Sequence, residues 1–289
     1  MKYLLRAVAA AGLILSTPHL FADENLFGYT YGAETLPNGK WEFYNWATAR
    51  LSKGKGTYRA LDLAQELEYG ITDRWQASLY VTERGHEIRG SAPVEDGEAE
   101  YPDRSSFEFQ GLQLASKYML LSPFKDAIGL ALYGEAGWSR HFKISGQQQD
   151  EYYFEGKIIL QKNFLEDALI VALNLTGEYE LRRIRGDKES DSEIEAEVTG
   201  GITYRVAPNW YVGLEARMHS EFPNSDFRGW EHYAVFAGPT IHYGAKTWWA
   251  TLTWLPQLTG WPNDPERSNN LHLGEHERNE IRLKVGINF

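Results

Sequence analysis

Ala168-Leu169-Ile170-Val171-Ala172-Leu173-Asn174-Leu175-Thr176-Gly177-Glu178-Tyr179-Glu180-Leu181-Arg182 reads in twos. Leu169, Val171, Leu173, Leu175, Tyr179 and Leu181 fall on one parity, interrupted only by Gly177. Ile170, Ala172, Asn174, Thr176, Glu178, Glu180 and Arg182 fall on the other. A helix would scatter both groups around its circumference; a strand sends them to opposite faces. The chain ends in the same way, with Ile281, Leu283, Val285, Ile287 and Phe289 alternating with Glu280, Arg282, Lys284 and Asn288.

Carried outward from these two segments, the alternation predicts about twelve strands, near 41–51, 58–69, 75–83, 106–120, 127–140, 151–163, 168–183, 193–205, 210–220, 231–244, 247–257 and 277–289. The first has mixed parity. So does 106–120, where a bulge would reconcile Phe107 and Phe109 with Leu112 and Leu114. Short turns such as Ile71–Arg74 and Ala207–Asn209 alternate with long polar loops near 84–105, 141–150, 184–192, 221–230 and 258–276. Even strand number and alternating connection length are the pattern of a bacterial outer-membrane barrel with both termini in the periplasm. Aromatics add two belts: Tyr69, Trp75, Tyr118, Trp210, Tyr243, Trp248 and Phe289 at the short-turn ends, and Trp138, Tyr179, Tyr233 and Trp254 toward the loops. The fold expected is all-β, a closed antiparallel up-and-down transmembrane β-barrel.

Composition excludes several functions. The 289 residues contain no cysteine, so disulfides, thiolate metal sites and cysteine nucleophiles are absent. A net charge of −11 argues against nucleic acid, which is bound by neutralising phosphates. Lys2 and Arg6, the apolar run Ala7–Leu15 and Leu20-Phe21-Ala22 form a secretory signal pattern, too short to span a bilayer. The expected organisation is a cleaved signal over 1–22, a periplasmic or lumen-facing segment over 23–40, and the barrel over 41–289. Export through the inner membrane then leads to the outer membrane.

The polar parity should line the lumen. Roughly twelve tilted strands enclose a backbone cylinder about 24 Å across, which inward side chains narrow to a small passage. Glu178, Glu180, Arg182, Glu195, Arg217, Arg282 and Lys284 are the candidate selectivity residues, near mid-strand or in opposed rows. The same charges also fit a plugged interior in which Glu193, Glu195 and Glu197 pair with Arg182, Arg205 and Arg217. The acidic loop 84–105 is expected to be solvated.

Catalytic patterns are weak. A phospholipase-type barrel needs His and Ser two apart on one strand face; His219-Ser220 are adjacent, and Ser139-x-His141 has no evident third group to orient the imidazole. His272 and His276, beside Glu275 and Glu277, read as a solvated loop rather than a metal site, and His232 and His242 should point inward. No enzyme activity, cofactor or metal is expected. The expected partners are membrane lipids, lipopolysaccharide and a small solute.

The terminal strand ending in Phe289 resembles the strand that outer-membrane barrels present to their assembly machinery. Gly28-Tyr29-Thr30-Tyr31-Gly32-Ala33-Glu34-Thr35-Leu36-Pro37-Asn38-Gly39-Lys40-Trp41 is similar to the opening of an uncharacterised family of proteobacterial outer-membrane barrels. Leu67-Glu68-Tyr69-Gly70-Ile71-Thr72-Asp73-Arg74 resembles a turn in the barrel family associated with the phenol meta-degradation pathway. These resemblances imply an outer-membrane barrel and carry no site residues. The expected function is passage of small polar or amphiphilic solutes; the alternatives are a lipid-modifying enzyme and a closed barrel that binds envelope partners.

Overall fold

The computed structural model describes residues 25–92, 102–185, 190–223, 225–263 and 270–289. The expected signal segment 1–22 lies outside them, as does the acidic loop tip with Glu95, Asp96, Glu98 and Glu100.

Twelve antiparallel strands close on themselves in sequence order. They are β1 Trp41–Leu51, β2 Lys55–Thr72, β3 Trp75–Ala92, β4 Arg104–Leu121, β5 Gly129–His141, β6 Gln148–Phe164, β7 Leu169–Ile184, β8 Asp191–Ala207, β9 Trp210–Pro223, β10 His232–Gly244, β11 Trp248–Trp261 and β12 Asn279–Asn288. Closure is made by β1 against β12, from Glu42 opposite Asn288 to Leu51 opposite Asn279. Trp41 and Phe289 exchange backbone bonds of 3.0 and 2.9 Å at the seam. No edge remains in the wall, which is the condition for a sheet in hydrocarbon.

Side-chain parity divides outside from inside. On β7, Leu173, Leu175, Tyr179 and Leu181 lie exposed on the outer surface, whereas Ile170, Ala172, Asn174 and Glu180 are buried within. On β12, Ile281, Leu283, Val285 and Ile287 face out, and Glu280, Arg282 and Lys284 face in. An exposed wall of leucine, valine and isoleucine is stable only where lipid covers it. At its short-turn rim the aromatic belt packs ring on ring: Trp41 on Tyr69 at 4.5 Å, Tyr243 on Trp210 at 4.8 Å and on Trp248 at 5.0 Å.

Two irregularities of the sequence pattern resolve physically. In β4, Thr82 pairs with Gly111 and Glu83 with Phe109, leaving Gln110 as the extra residue of a bulge. Phe107, Phe109, Leu112 and Leu114 thereby all face out. In β1 the mixed parity reflects lumenal aromatics: Tyr44 is buried inside against Trp249, and the Arg282 guanidinium lies 4.1 Å from the Trp46 ring centre.

Several strands run past the expected ends. β3 continues to Ala92 where a loop was expected from residue 84, β4 starts at Arg104, and β11 reaches Trp261. Above the bilayer both faces of a hairpin meet polar surroundings, so ladder bonds persist after the apolar alternation has ended.

Outward Leu283 lies near the middle of β12. Leu283→Arg is expected to cost about 2–4 kcal/mol in reversible unfolding from phospholipid vesicles, the penalty for a basic side chain at the midplane. An unchanged denaturant midpoint would contradict the lipid-facing assignment.

Candidate functional site

The lumen is occupied on its short-turn side by residues 25–38, which form a strap across the interior. A non-strand segment in a buried setting needs partners for its amides, and here the wall side chains provide them. Glu215 accepts from the backbone N–H groups of Gly28, Tyr29 and Thr30 at 3.0, 2.8 and 2.6 Å. The Asn174 amide accepts from Tyr31 N at 2.6 Å and donates to Tyr31 O at 3.0 Å. Gln161 accepts from Ala33 N at 2.8 Å and Gln76 from Leu36 N at 2.7 Å. Asp73, in the β2–β3 turn, accepts from Asn38 N at 2.9 Å and so anchors the strap beside the short turns.

Apolar sockets add the packing. Leu26 and Phe27 cluster with Ile170, Ala172 and Tyr211; Tyr29 packs with Ala234, Phe236 and Leu255; Ala33 joins Tyr80, Ala115, Ala131, Tyr133 and Ile159. Gly201, in β8, leaves room for one of these side chains. A Cβ there would stand 2.4 Å from the Phe27 ring, so this glycine makes the socket.

Above the strap lies a cavity of about 300 Å³. Tyr29 and Tyr31 contribute from the strap, and the walls carry acids (Asp62, Glu135, Glu178, Glu180, Glu197) and bases (Arg50, Lys157, Arg217, Arg282). Of the candidate selectivity residues, Glu178, Glu180, Arg217 and Arg282 line this space. Arg217 bridges Glu197 at 2.5 Å and Glu280 at 2.7 Å. Arg282 holds Thr48 and the Gly28 carbonyl at 2.7 and 3.2 Å and stacks 3.7 Å from the Tyr29 ring centre, so it fixes the strap. Lys284 lies under the strap, bonded to Asn25 and buried, rather than on the cavity wall. Arg182 pairs with Glu193 at 2.6 Å.

The expected partner for Glu195 is wrong. Arg205 reaches the Glu166 carbonyl at the short-turn rim, because its place near the end of β8 puts it far down the wall. Glu195 instead binds Lys143, which folds in from the β5–β6 loop and also meets Glu180 at 3.3 Å and Glu221 at 3.9 Å. Burial alone would lower the Lys143 pKa, but Glu180, Glu195 and Glu221 outweigh it and hold the ammonium well above its usual range. A second network joins Arg50 to Asp62 at 2.6 Å, to Glu280 at 2.8 Å and to Glu277, while Arg84 takes the other Asp62 oxygen.

The histidine expectation is also corrected. His272 and His276 are buried inside the loop end of the lumen instead of solvated, because residues 270–278 of the β11–β12 connection fold inward. Gln257 pins it by accepting from His272 N at 2.7 Å and donating to the His272 and Glu277 carbonyls at 2.9 and 3.2 Å. Their rings meet His232, with centroids 4.8 and 5.0 Å away, and His276 also meets His219 at 5.2 Å. Burial, then the neighbouring His232, pushes His272 down to about 4; burial, then His219 and His232, pushes His276 well below the usual imidazole range. Both rings are therefore neutral near pH 7. His242 points inward as expected, 2.7 Å from Thr251 Oγ1. Ser139 donates to Glu151 at 3.2 Å, and His141 faces Glu108 at 3.7 Å, so the two form no nucleophile–base pair.

Glu215→Ala would leave three buried strap amides without an acceptor, a loss on the order of 3 kcal/mol. Hydrogen exchange at residues 28–30 is expected to accelerate at least tenfold while exchange in β7 and β8 stays slow. Unchanged protection at 28–30 would contradict the anchoring role of Glu215.

Among solved structures the fold is similar to an outer-membrane channel of Pseudomonas putida F1, with TM-score 0.56 and 14% identity over 89% of this chain and 98% of that one. It is similar also to the β domain of the Bordetella autotransporter BrkA (TM-score 0.51, 10% identity, 87% and 100% covered) and to the NanC porin (0.50, 10%, 85% and 98%). At such identities the likeness establishes the fold. No curated protein matches the sequence. The match that spans the chain is to a family model over residues 19–289, and the protein belongs to that family, a family of unknown function, DUF6662.

Proposed function

We propose that this protein is a bacterial outer-membrane channel for small polar or amphiphilic solutes, with residues 25–38 as the element that closes its periplasmic side. The observation that carries the reading is how the strap is attached. Side chains of the wall hold it, by Glu215, Asn174, Gln161 and Gln76, and it takes no part in strand pairing. Its departure would therefore break no bond of the barrel itself, and the wall would remain closed.

The cavity above the strap suits solutes carrying both polar groups and an apolar body. Acids and bases both line it, and Tyr29, Tyr31, Tyr80 and Tyr153 add aromatic rings to the same wall. Rings of fixed charge screen solutes by sign and dipole in narrow pores. The likeness to the Pseudomonas putida channel supports the reading at the level of architecture.

Planar-bilayer recording tests it. The full chain is expected to give rare or small current steps, and a chain lacking residues 25–38 frequent, larger ones. In the shortened chain, Arg217→Gln should shift the reversal potential in a salt gradient toward cation preference. Silence from both forms, once their insertion is verified, would reject a channel.

A further inference from the structure

The loop end of the lumen holds a cluster that the channel reading does not use, at the meeting of β8, β9, β10 and the β11–β12 loop. Its centre is Glu221. Oε1 of this carboxylate lies 3.0 Å from His219 Nε2, and Oε2 lies 3.1 Å from His232 Nε2. Glu195 completes the group: Lys143 takes its Oε1, while its Oε2 stands 3.5 Å from His219 Nε2. One donor atom from each of Glu195, His219 and Glu221 falls within 4.8 Å of the other two.

His232 provides a second, independent observation. The ring is 2% exposed, and its Nε2 makes no hydrogen bond despite facing the carboxylate. Its other nitrogen, Nδ1, is 3.2 Å from Nε2 of His276. One of the two rings must donate in that contact. With Nδ1–H of His232 donating to Nε2 of His276, the other nitrogen of His232 is directed at a carboxylate oxygen 3.1 Å away. A bare lone pair there would repel the carboxylate, so a cation stands between them, either the second proton of an imidazolium or a metal ion.

We propose that Glu195, His219 and Glu221, with His232 beside them on the other Glu221 oxygen, bind a first-row divalent transition-metal ion at the loop-side mouth of the barrel. Ligands of a four-coordinate ion with bonds of about 2.0–2.1 Å lie roughly 3.4 Å apart, close to the 3.0 and 3.5 Å that separate His219 Nε2 from Glu221 Oε1 and Glu195 Oε2; His232 stands 3.1 Å from the other Glu221 oxygen, where a small ring movement brings it to the same ion. Two imidazoles with carboxylates select Zn²⁺, Co²⁺, Ni²⁺ or Cu²⁺ over Mg²⁺ and Ca²⁺, which favour oxygen donors. His276 acts as the positioning residue, fixing the His232 tautomer as outer partners of metal-bound histidines do. Lys143 stays on the far oxygen of Glu195 and shields the remaining acid charge. The site is separate from the strap and stands whether or not the barrel conducts.

The test uses untagged, metal-stripped full-length barrel in detergent, titrated with Co²⁺ and then with Zn²⁺. One Co²⁺ per chain is expected, with the visible absorption of a low-coordinate nitrogen–oxygen site. Zn²⁺ should displace it, and Mg²⁺ or Ca²⁺ in excess should not. His219→Ala, His232→Ala and Glu221→Gln should each weaken Zn²⁺ binding at least tenfold. His242→Ala, at the opposite end of the lumen, should leave it unchanged. Glu221→Gln keeps size and shape, so it carries the test if a histidine variant fails to insert. Absence of stoichiometric Co²⁺ binding, equal affinity in Glu221→Gln, or displacement by Ca²⁺ as readily as by Zn²⁺ would overturn the assignment.

Discussion

In hydrocarbon an unpaired backbone N–H or C=O has no water to bond, and each costs several kcal/mol. The pairing of β1 with β12 removes the last such row from the wall. Everything else follows from that closure. Once the ladder is complete, alternate side chains have only two places to go, lipid or lumen. Leu283 and Ile281 take the first, and Arg282 and Lys284 between and beside them are forced into the second.

The forced interior creates its own problem, which the chain solves in layers. Beside the short turns, where apolar and amide side chains meet, the strap fills the lumen and receives its amide bonds from Glu215, Asn174, Gln161 and Gln76. At mid-height, arginines and glutamates satisfy one another: Arg217 spans Glu197 and Glu280, and Arg50 spans Asp62 and Glu280. Toward the loops, acids outnumber the bases beside them, and Lys143 enters from the β5–β6 loop to compensate. Buried charges of this kind add little stability against apolar packing, yet removing one partner leaves the other stranded. Such an interior specifies one arrangement and resists gradual change.

The wall was legible because its signal is local. Period-two alternation in Leu169–Arg182 and Ile281–Phe289 gave the faces, and the parity break near Phe109 gave the bulge at Gln110. Inward placement of Glu178, Glu180, Arg217 and Arg282 followed from the same parity. The contents of the lumen were not legible, because they depend on contacts between segments far apart in the chain. Glu215 holds amides 185 to 187 positions away. Lys143 and His276 belong to loops whose polar composition suits solvent equally well, so composition alone reads His276 as solvated and does not single out Lys143. One local trace did exist: Gly201, the second glycine of the Gly200-Gly201 pair in β8, stands where Phe27 needs room, although nothing in the strand names that partner.

The measurement that bears most directly on this account is a cross-link between strap and wall. The chain has no cysteine, so an introduced pair reports without background. Ala33 Cβ lies 3.1 Å from where a Cβ on Gly129 would stand, and a shift of this edge away from Pro123, whose Cβ would be 2.8 Å away, brings the pair to disulfide range. In membranes bearing Ala33→Cys with Gly129→Cys, the account predicts a disulfide under mild oxidation, read as altered gel mobility reversed by reductant. A strap outside the barrel would leave both thiols free and labelled by a water-soluble maleimide, contradicting an amino-terminal segment lodged in the lumen.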